Sequence, residues 1–250
     1  MRVRAGTSGF SYKEWKGSFY PEDLHADAML HYYSERLPAV EINNTFYRMP
    51  KPALLEGWAA EVPEDFRFVL KASQRITHFK RLKEAGDEVA YFFQVAATLA
   101  GRLGPALFQL PPNLKKDLPR LSDFLAVLPE HARAAFEFRH ASWFEDDVFE
   151  ALRTRGAALC IAEDEELATP LVATAPWGYL RLRRQDYDEA AVGAWAEKVR
   201  TQSWDEAYVF FKHEDAGSGP KLAADFLRRI DPATTSASPP ASPALPEDRA

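Results

Sequence analysis

The chain has 250 residues, 46% of them hydrophobic and 27% charged, with a formal net charge of −6. That composition is ordinary for a globular protein, and the length suits one large α/β domain or two smaller ones. The acidic balance excludes long-range attraction of nucleic acid or of an anionic membrane by the global field, so any anion site must be a local cluster.

The N-terminus, "MRVRAGTSGF", has no apolar core of a signal peptide, and no run in the chain approaches the ~20 apolar residues of a membrane span, so a soluble, cytoplasmic protein without membrane contact is expected. The first strand is "RVRAGTS" (2–8). It is followed by "GTSGFSYKEWKGSFYP", whose Phe10, Tyr12, Trp15, Phe19 and Tyr20 could stack a base or a sugar, or pack down as a lid. Met29, Tyr32, Tyr33 and Leu37 then repeat at helical spacing. The strand "AVEIN" (39–43) leads to a helix through Leu54, Leu55 and Trp58, and "FRFVLKA" (66–72) leads to helical periodicity from Tyr91 through Leu103.

"PALFQL" (105–110) precedes a helical pattern from Leu118 to Leu128, and "AAFEFR" (134–139) precedes one from Val148 to Leu152. "ALCIAE" (158–163) contains Cys160, the single cysteine. One cysteine excludes an internal disulfide framework and a cysteine-built metal cage, and in this apolar run it reads as a small buried hydrophobe. Pro170 and Pro176 leave room for little helix before "GYLRLR" (178–183). Helical patterns then run from Val192 to Val199 and, after "AYVFFK" (207–212), from Leu222 to Ile230. Residues 231–250, "DPATTSASPPASPALPEDRA", hold Leu245 as their only large apolar side chain and read as a flexible tail behind a folded domain of residues 1–230.

Eight strands alternating with helices predict parallel βαβ units, and eight units in this length predict a single α/β domain, a (β/α)8 TIM-type barrel. An open doubly wound sheet is the competing arrangement. Because strand side chains alternate between two faces, parity sorts each run. One set is almost wholly large and apolar and should face the helices. The other set ends, strand by strand, in Ser8, Asn43, Lys71, Gln109, Arg139, Asp164, Arg183 and Lys212, with Glu41, Glu137 and Arg181 one layer deeper. These polar ends predict a cationic barrel mouth, where the active sites of this fold lie. Arg139, Arg181 and Arg183 offer forks for phosphate or carboxylate, and Lys71 and Lys212 add point charges. The deeper acids and Arg181 could equally be a structural ion pair.

The blocks "GTSGFSYKEWKGSFYP", "VEINNTFYRMP", "FRFVLKASQRITHFKRL", "LGPALFQLPP", "AFEFRHASWF" and "WGYLRLR" resemble the family named domain of unknown function 72, the YecE-like proteins, in the right order over about residues 2–230. The resemblance implies a TIM-type barrel. It also implies motif positions at Glu41, Asn43, Thr45, Tyr47, Lys71, His78, Gln109, Glu137, Arg139, His140 and Trp143. It implies no reaction. Two places depart from the family: Arg183 and Arg184 stand where it often reads His-Gly, and "FKHEDAG" stands where its text is Asn-rich.

His78 and His140 follow strand ends and could exchange protons near neutral pH. A metal would need three or more of Glu41, Glu137, Asp164, His78 and His140 to converge against the surrounding cations, so no metal ligand is assigned and any cofactor is left open. A nucleophile elbow is absent, and cations beside Glu41 and Glu137 would hold both ionised, against glycosidase chemistry. The expected function is therefore an enzyme, a hydrolase or lyase, acting on a phosphate-bearing small molecule or a nucleic-acid backbone. In it Glu41, Glu137, His78 and His140 exchange protons. Asn43, Lys71, Gln109, Arg139, Asp164, Arg181, Arg183 and Lys212 bind the substrate, with Tyr12, Trp15, Tyr47 and Trp143 as aromatic contacts. The alternative is a non-catalytic module for the same ligands.

Overall fold

A computed structural model describes residues 1–163, 167–212 and 217–231. Eight parallel strands close into a barrel in sequence order, with the last paired to the first. They are β1 (Arg2–Ser8), β2 (Ala39–Ile42), β3 (Arg67–Lys71), β4 (Leu103–Gln109), β5 (Ala134–Glu137), β6 (Ala158–Glu163), β7 (Trp177–Leu182) and β8 (Glu206–Phe211). Seven α-helices among the described residues surround it: α1 (Met29–Ser34), α2 (Pro52–Glu61), α3 (Gly86–Ala96), α4 (Leu118–Val127), α5 (Asp146–Arg155), α6 (Glu189–Arg200) and α7 (Ser218–Ile230). The open-sheet alternative is thereby set aside. No helix is described between β6 and β7, where the chain passes Pro170 and Pro176 in irregular backbone. Residues 232–250, most of the proposed tail, lie outside the described residues.

Helix ends follow side-chain chemistry. Asp117 accepts from the Arg120 amide at 3.1 Å to open α4, and Asp188 accepts from the Ala191 amide at 2.7 Å to open α6. Gly156, at φ 67°, closes α5, whose first turn holds Asp146 and Asp147 and whose last holds Arg153 and Arg155, matching the helix dipole.

Strand alternation divides the interior into two cores. The outward parity of the strands packs against the helices, with Phe68, Phe108, Phe136 and Phe138 fully buried there. Phe108, Phe136, Phe138 and Trp143 stack in sequence, the last two 4.7 Å apart at 10°. Burying each such ring contributes roughly 2–3 kcal/mol. The inward parity fills the barrel with Ala39, Val69, Leu107, Ala135, Cys160, Tyr179 and Phe210 among others. Small residues on β2, β5 and β6 leave room for the large ones on the other strands.

The lower end is closed by ion pairs. Arg4 donates to Glu206 at 2.6 Å and to Asp65 at 2.9 Å, and Arg133 also pairs with Glu206. The β1–β2 seam is unusually close: a Cβ on Gly6 would lie 1.9 Å from the Ala39 carbonyl oxygen. Into this seam α1 inserts the Tyr33 hydroxyl, which accepts from the Thr7 amide at 2.9 Å and donates to the Ala39 carbonyl at 2.9 Å.

Candidate functional site

Arg181, on β7, lies at the centre of the upper barrel. It donates through Nε and Nη2 to Glu41 Oε1, at 3.1 and 2.8 Å, and through Nη1 to Glu137 Oε2 at 2.6 Å. Ser8 donates to Glu41 Oε1 at 2.7 Å, and Tyr179 donates to Glu41 Oε2 at 2.5 Å. On the other acid, Gln109 donates its amide to Glu137 Oε1 at 2.9 Å, and Arg183 approaches the same oxygen at 3.0 Å. All four carboxylate oxygens are therefore occupied, and neither acid is exposed.

This geometry sets the charge state. Burial alone would raise the Glu137 carboxyl, but Arg181, Arg183 and the Gln109 amide outweigh it and hold it at about 2. Burial pushes the Tyr179 phenol up, and the Glu41 carboxylate pushes it further. Against the expectation of proton exchange, Glu41 and Glu137 have no oxygen open to a substrate, and Glu137 is too weak a base near neutral pH to accept a proton. Both acids and Arg181 form the floor of the mouth.

Above that floor, among the described residues, the cations outnumber the acids. Lys71, half-buried at the end of β3, donates to Gln109 Oε1 at 2.7 Å and lies 4.2 Å from the centre of the Phe46 ring. Burial lowers its ammonium to about 8, helped by Arg181 and Lys212 and opposed by Glu41 and Glu137. Arg139, half-buried beyond β5, and Lys212, exposed beyond β8, have no ion-pair partner among the described residues. A small cleft of about 40 Å³ is bounded by Arg139, Arg183, Glu137 and Thr169. Thr169 is 8% exposed, and its hydroxyl is buried there without a hydrogen-bond partner. Asn43 lines a neighbouring cleft beside Tyr12 and likewise has a buried, unpartnered Oδ1.

The histidines separate. His78 packs edge-on against Phe46, 4.9 Å between centroids, with Nδ1 2.9 Å from the Thr77 hydroxyl. Burial lowers its pKa, and Lys71, Arg139 and Arg81 lower it further, so it is neutral near pH 7. His140 uses Nδ1 to accept from the Ser142 amide at 3.1 Å, capping the short turn Ala141–Trp143.

Two of the expected aromatic contacts belong to the core instead. Trp15 is 0% exposed, packed among Tyr12, Phe19 and Tyr20. Trp143 is 0% exposed, donating to the Leu114 carbonyl at 2.7 Å and stacked on Phe138. Their apolar area is better removed from water beneath the loops than held over a charged mouth. Tyr12 donates to the Ser8 carbonyl, and Tyr47 stands 71% exposed at the rim. Asp164 and His213 lie outside the described residues. No sequence signal marked Phe46 or Thr169, because strand alternation says nothing of loop residues.

Among the described residues no three His, Cys, Asp or Glu side chains are grouped as metal ligands, and no helix is long and apolar enough to cross a membrane.

Comparison with known proteins follows the fold. The family described as "Protein of unknown function DUF72" matches residues 4–247. The chain is 34% identical to the UPF0759 protein YecE of Escherichia coli K12 over 125 residues, 50% of this chain and 46% of that protein, so the match spans about half of that curated relative. It is 25% identical to the UPF0759 protein YunF of Bacillus subtilis over 215 residues, 78% of this chain and 74% of that one. Among solved structures, a DUF72 family protein of Thermotoga maritima superposes with a TM-score of 0.79 at 25% identity, covering 92% of this chain and 100% of its own. A DUF72 family protein of Enterococcus faecalis, at 18% identity and a TM-score of 0.73, shares the fold, covering 98% and 100%.

Proposed function

This chain belongs to the DUF72 family, and because that membership brings a barrel without a reaction, we propose its function from the mouth itself: an enzyme that binds a small phosphate-bearing substrate there and moves protons on it. The observation that supports this most is the charge count. Among the described residues Lys71, Arg139, Arg181, Arg183 and Lys212 surround two carboxylates, Glu41 and Glu137, and both carboxylates are already held by Arg181 and Arg183. Cations crowded in this way repel one another, and an entering phosphate relieves that repulsion. Each unit-charge contact at about 4 Å contributes on the order of 4 kcal/mol at an effective dielectric of ~20, before desolvation.

In this reading Arg139 and Arg183 hold the phosphate, with the Thr169 hydroxyl in the same cleft as a further donor. Lys71 exchanges protons, its ammonium lowered by burial to about 8, and His78, held neutral by burial and the neighbouring cations, stands beside it on the Phe46 ring. Glu41 and Glu137 keep Arg181 in place. Hydrolysis or lyase chemistry suits this set.

A second reading, a non-catalytic module taking a nucleic-acid strand by the same mouth, draws on one observation. Tyr47 and Phe79, the latter 72% exposed, line a recess of about 530 Å³ on which bases could stack.

Thermal melting of the full chain in phosphate against chloride at matched ionic strength tests the reading. Phosphate at a hundredfold excess over its dissociation constant should add about 2.7 kcal/mol, a rise of several degrees. Arg139→Ala should melt as the parent does in chloride and lose the rise in phosphate. Equal rises in both proteins would count against the mouth. Binding of a single-stranded oligonucleotide that survives saturating phosphate would favour the second reading.

A further inference from the structure

We infer that Lys71 is an imine-forming amine, whose Nζ condenses with the carbonyl carbon of an aldehyde or ketone bearing a phosphate held by Arg139 and Arg183. The inference rests on the anion-binding reading and narrows its substrate class to phosphorylated carbonyl compounds.

A buried structural lysine ordinarily faces a carboxylate. Lys71 instead donates to an amide oxygen, and the orientation of that amide is set by its neighbour: Glu137 is an ionised acceptor, so Gln109 must turn its nitrogen to Glu137 and its oxygen to Lys71. Glu41 and Glu137 lie near enough to be felt, yet their oxygens are occupied by Arg181, Arg183, Ser8, Tyr179 and Gln109. The other side of the ammonium meets the Phe46 ring, which excludes water.

A desolvated amine beside other cations is the environment that makes lysine a nucleophile at neutral pH. Arg181 and Lys212 are those cations here. At about 8, roughly a quarter of the amine is unprotonated at pH 7.5, against about one part in a thousand for an ordinary lysine.

The chemistry balances without an oxidant or reductant. The Nζ lone pair attacks the carbonyl carbon, and the carbonyl oxygen takes a proton to give a carbinolamine. That hydroxyl takes a second proton and leaves as water, and the carbon–nitrogen double bond forms. The net change is amine plus carbonyl to imine plus water. The ammonium proton passes to solvent before the attack and a proton from solvent goes to the leaving hydroxyl; His78, packed on the same Phe46 ring, is near enough for Lys71 to lower its pKa.

Trapping with pyridoxal 5′-phosphate, an aldehyde carrying a phosphate, tests this directly. The full chain is treated with equimolar reagent at about pH 7.5, reduced with borohydride and mapped by mass spectrometry. The expected result is one dominant adduct on Lys71, at least about tenfold above any other lysine given the unprotonated fractions, suppressed by excess inorganic phosphate. Its yield should rise with pH to a midpoint near 8. Lys71→Arg, which keeps the charge, should melt like the parent and lose the adduct. Adducts spread over surface lysines with Lys71 unmodified would overturn the inference. If that occurred while phosphate still raised the melting temperature, the anion reading would stand without the imine. If pyridoxal lacking its phosphate labelled Lys71 equally and phosphate neither protected nor stabilised, the amine would stand, and the anion reading and the substrate class would fall.

Discussion

Arg181 meets two carboxylates with three nitrogens, and its burial makes each of those contacts costly to break. Taking away one acid leaves Arg181 and Arg183 facing each other with half their counter-charge. Glu137→Gln should therefore destabilise the protein by about 3–5 kcal/mol at pH 7, read by urea unfolding. The same residue predicts an acid limb. Its folded-state value of about 2 lies below the ordinary 4.5, so protonation favours the unfolded chain. The stabilisation is whole above about pH 4.5 and is lost as pH falls toward 2, and the gap between parent and Glu137→Gln should close over that window. A variant as stable as the parent at pH 7 would remove Glu137 from the floor of the mouth. At this scale Glu41, Lys71, Gln109, Glu137 and Arg181 could be placed on one face from the sequence, because a strand repeats every two residues. What parity could not show is which of them bind one another. That depends on distances across the barrel, and it turned two expected proton carriers into a fixed floor.

Between elements, the β1–β2 seam depends on one hydroxyl from a neighbouring helix. Tyr33 of α1 bridges the Thr7 amide and the Ala39 carbonyl, and its burial pushes the phenol up and keeps it protonated. Tyr33→Phe leaves both backbone groups buried without that partner and should cost about 1–3 kcal/mol. Hydrogen exchange at the Thr7 amide should quicken more than at amides of β5 or β7, whereas unchanged protection at Thr7 would mean the strands close the seam themselves. The strands were legible as apolar runs because each has one face against helices, and their bounds moved by only a residue or two. Trp15 and Trp143 were misplaced for a related reason. An aromatic in a loop after a strand reads the same whether it folds over the mouth or under the loop, and only packing against Tyr20 or Phe138 decides. That the described residues between β6 and β7 form no helix was legible in Pro170 and Pro176.

Across the whole molecule the two ends of the barrel differ in charge balance. At the lower end Arg2, Arg4 and Arg133 share Asp65 and Glu206, three cations to two acids, each cation in a direct ion pair. At the upper end five cations face two carboxylates among the described residues, in a protein whose net charge is −6. A global field of that sign discourages long polyanions and leaves a short-range site for a small one. The most direct test is crystallographic. Crystals of the full chain grown without sulfate or phosphate would be soaked in tungstate, a heavy analogue of phosphate, and measured for anomalous scattering. The strongest peak should lie in the cleft between Arg139, Arg183 and Thr169. A mouth without tungstate, while the ion decorates exposed arginines such as Arg36 or Arg200, would contradict the anion site.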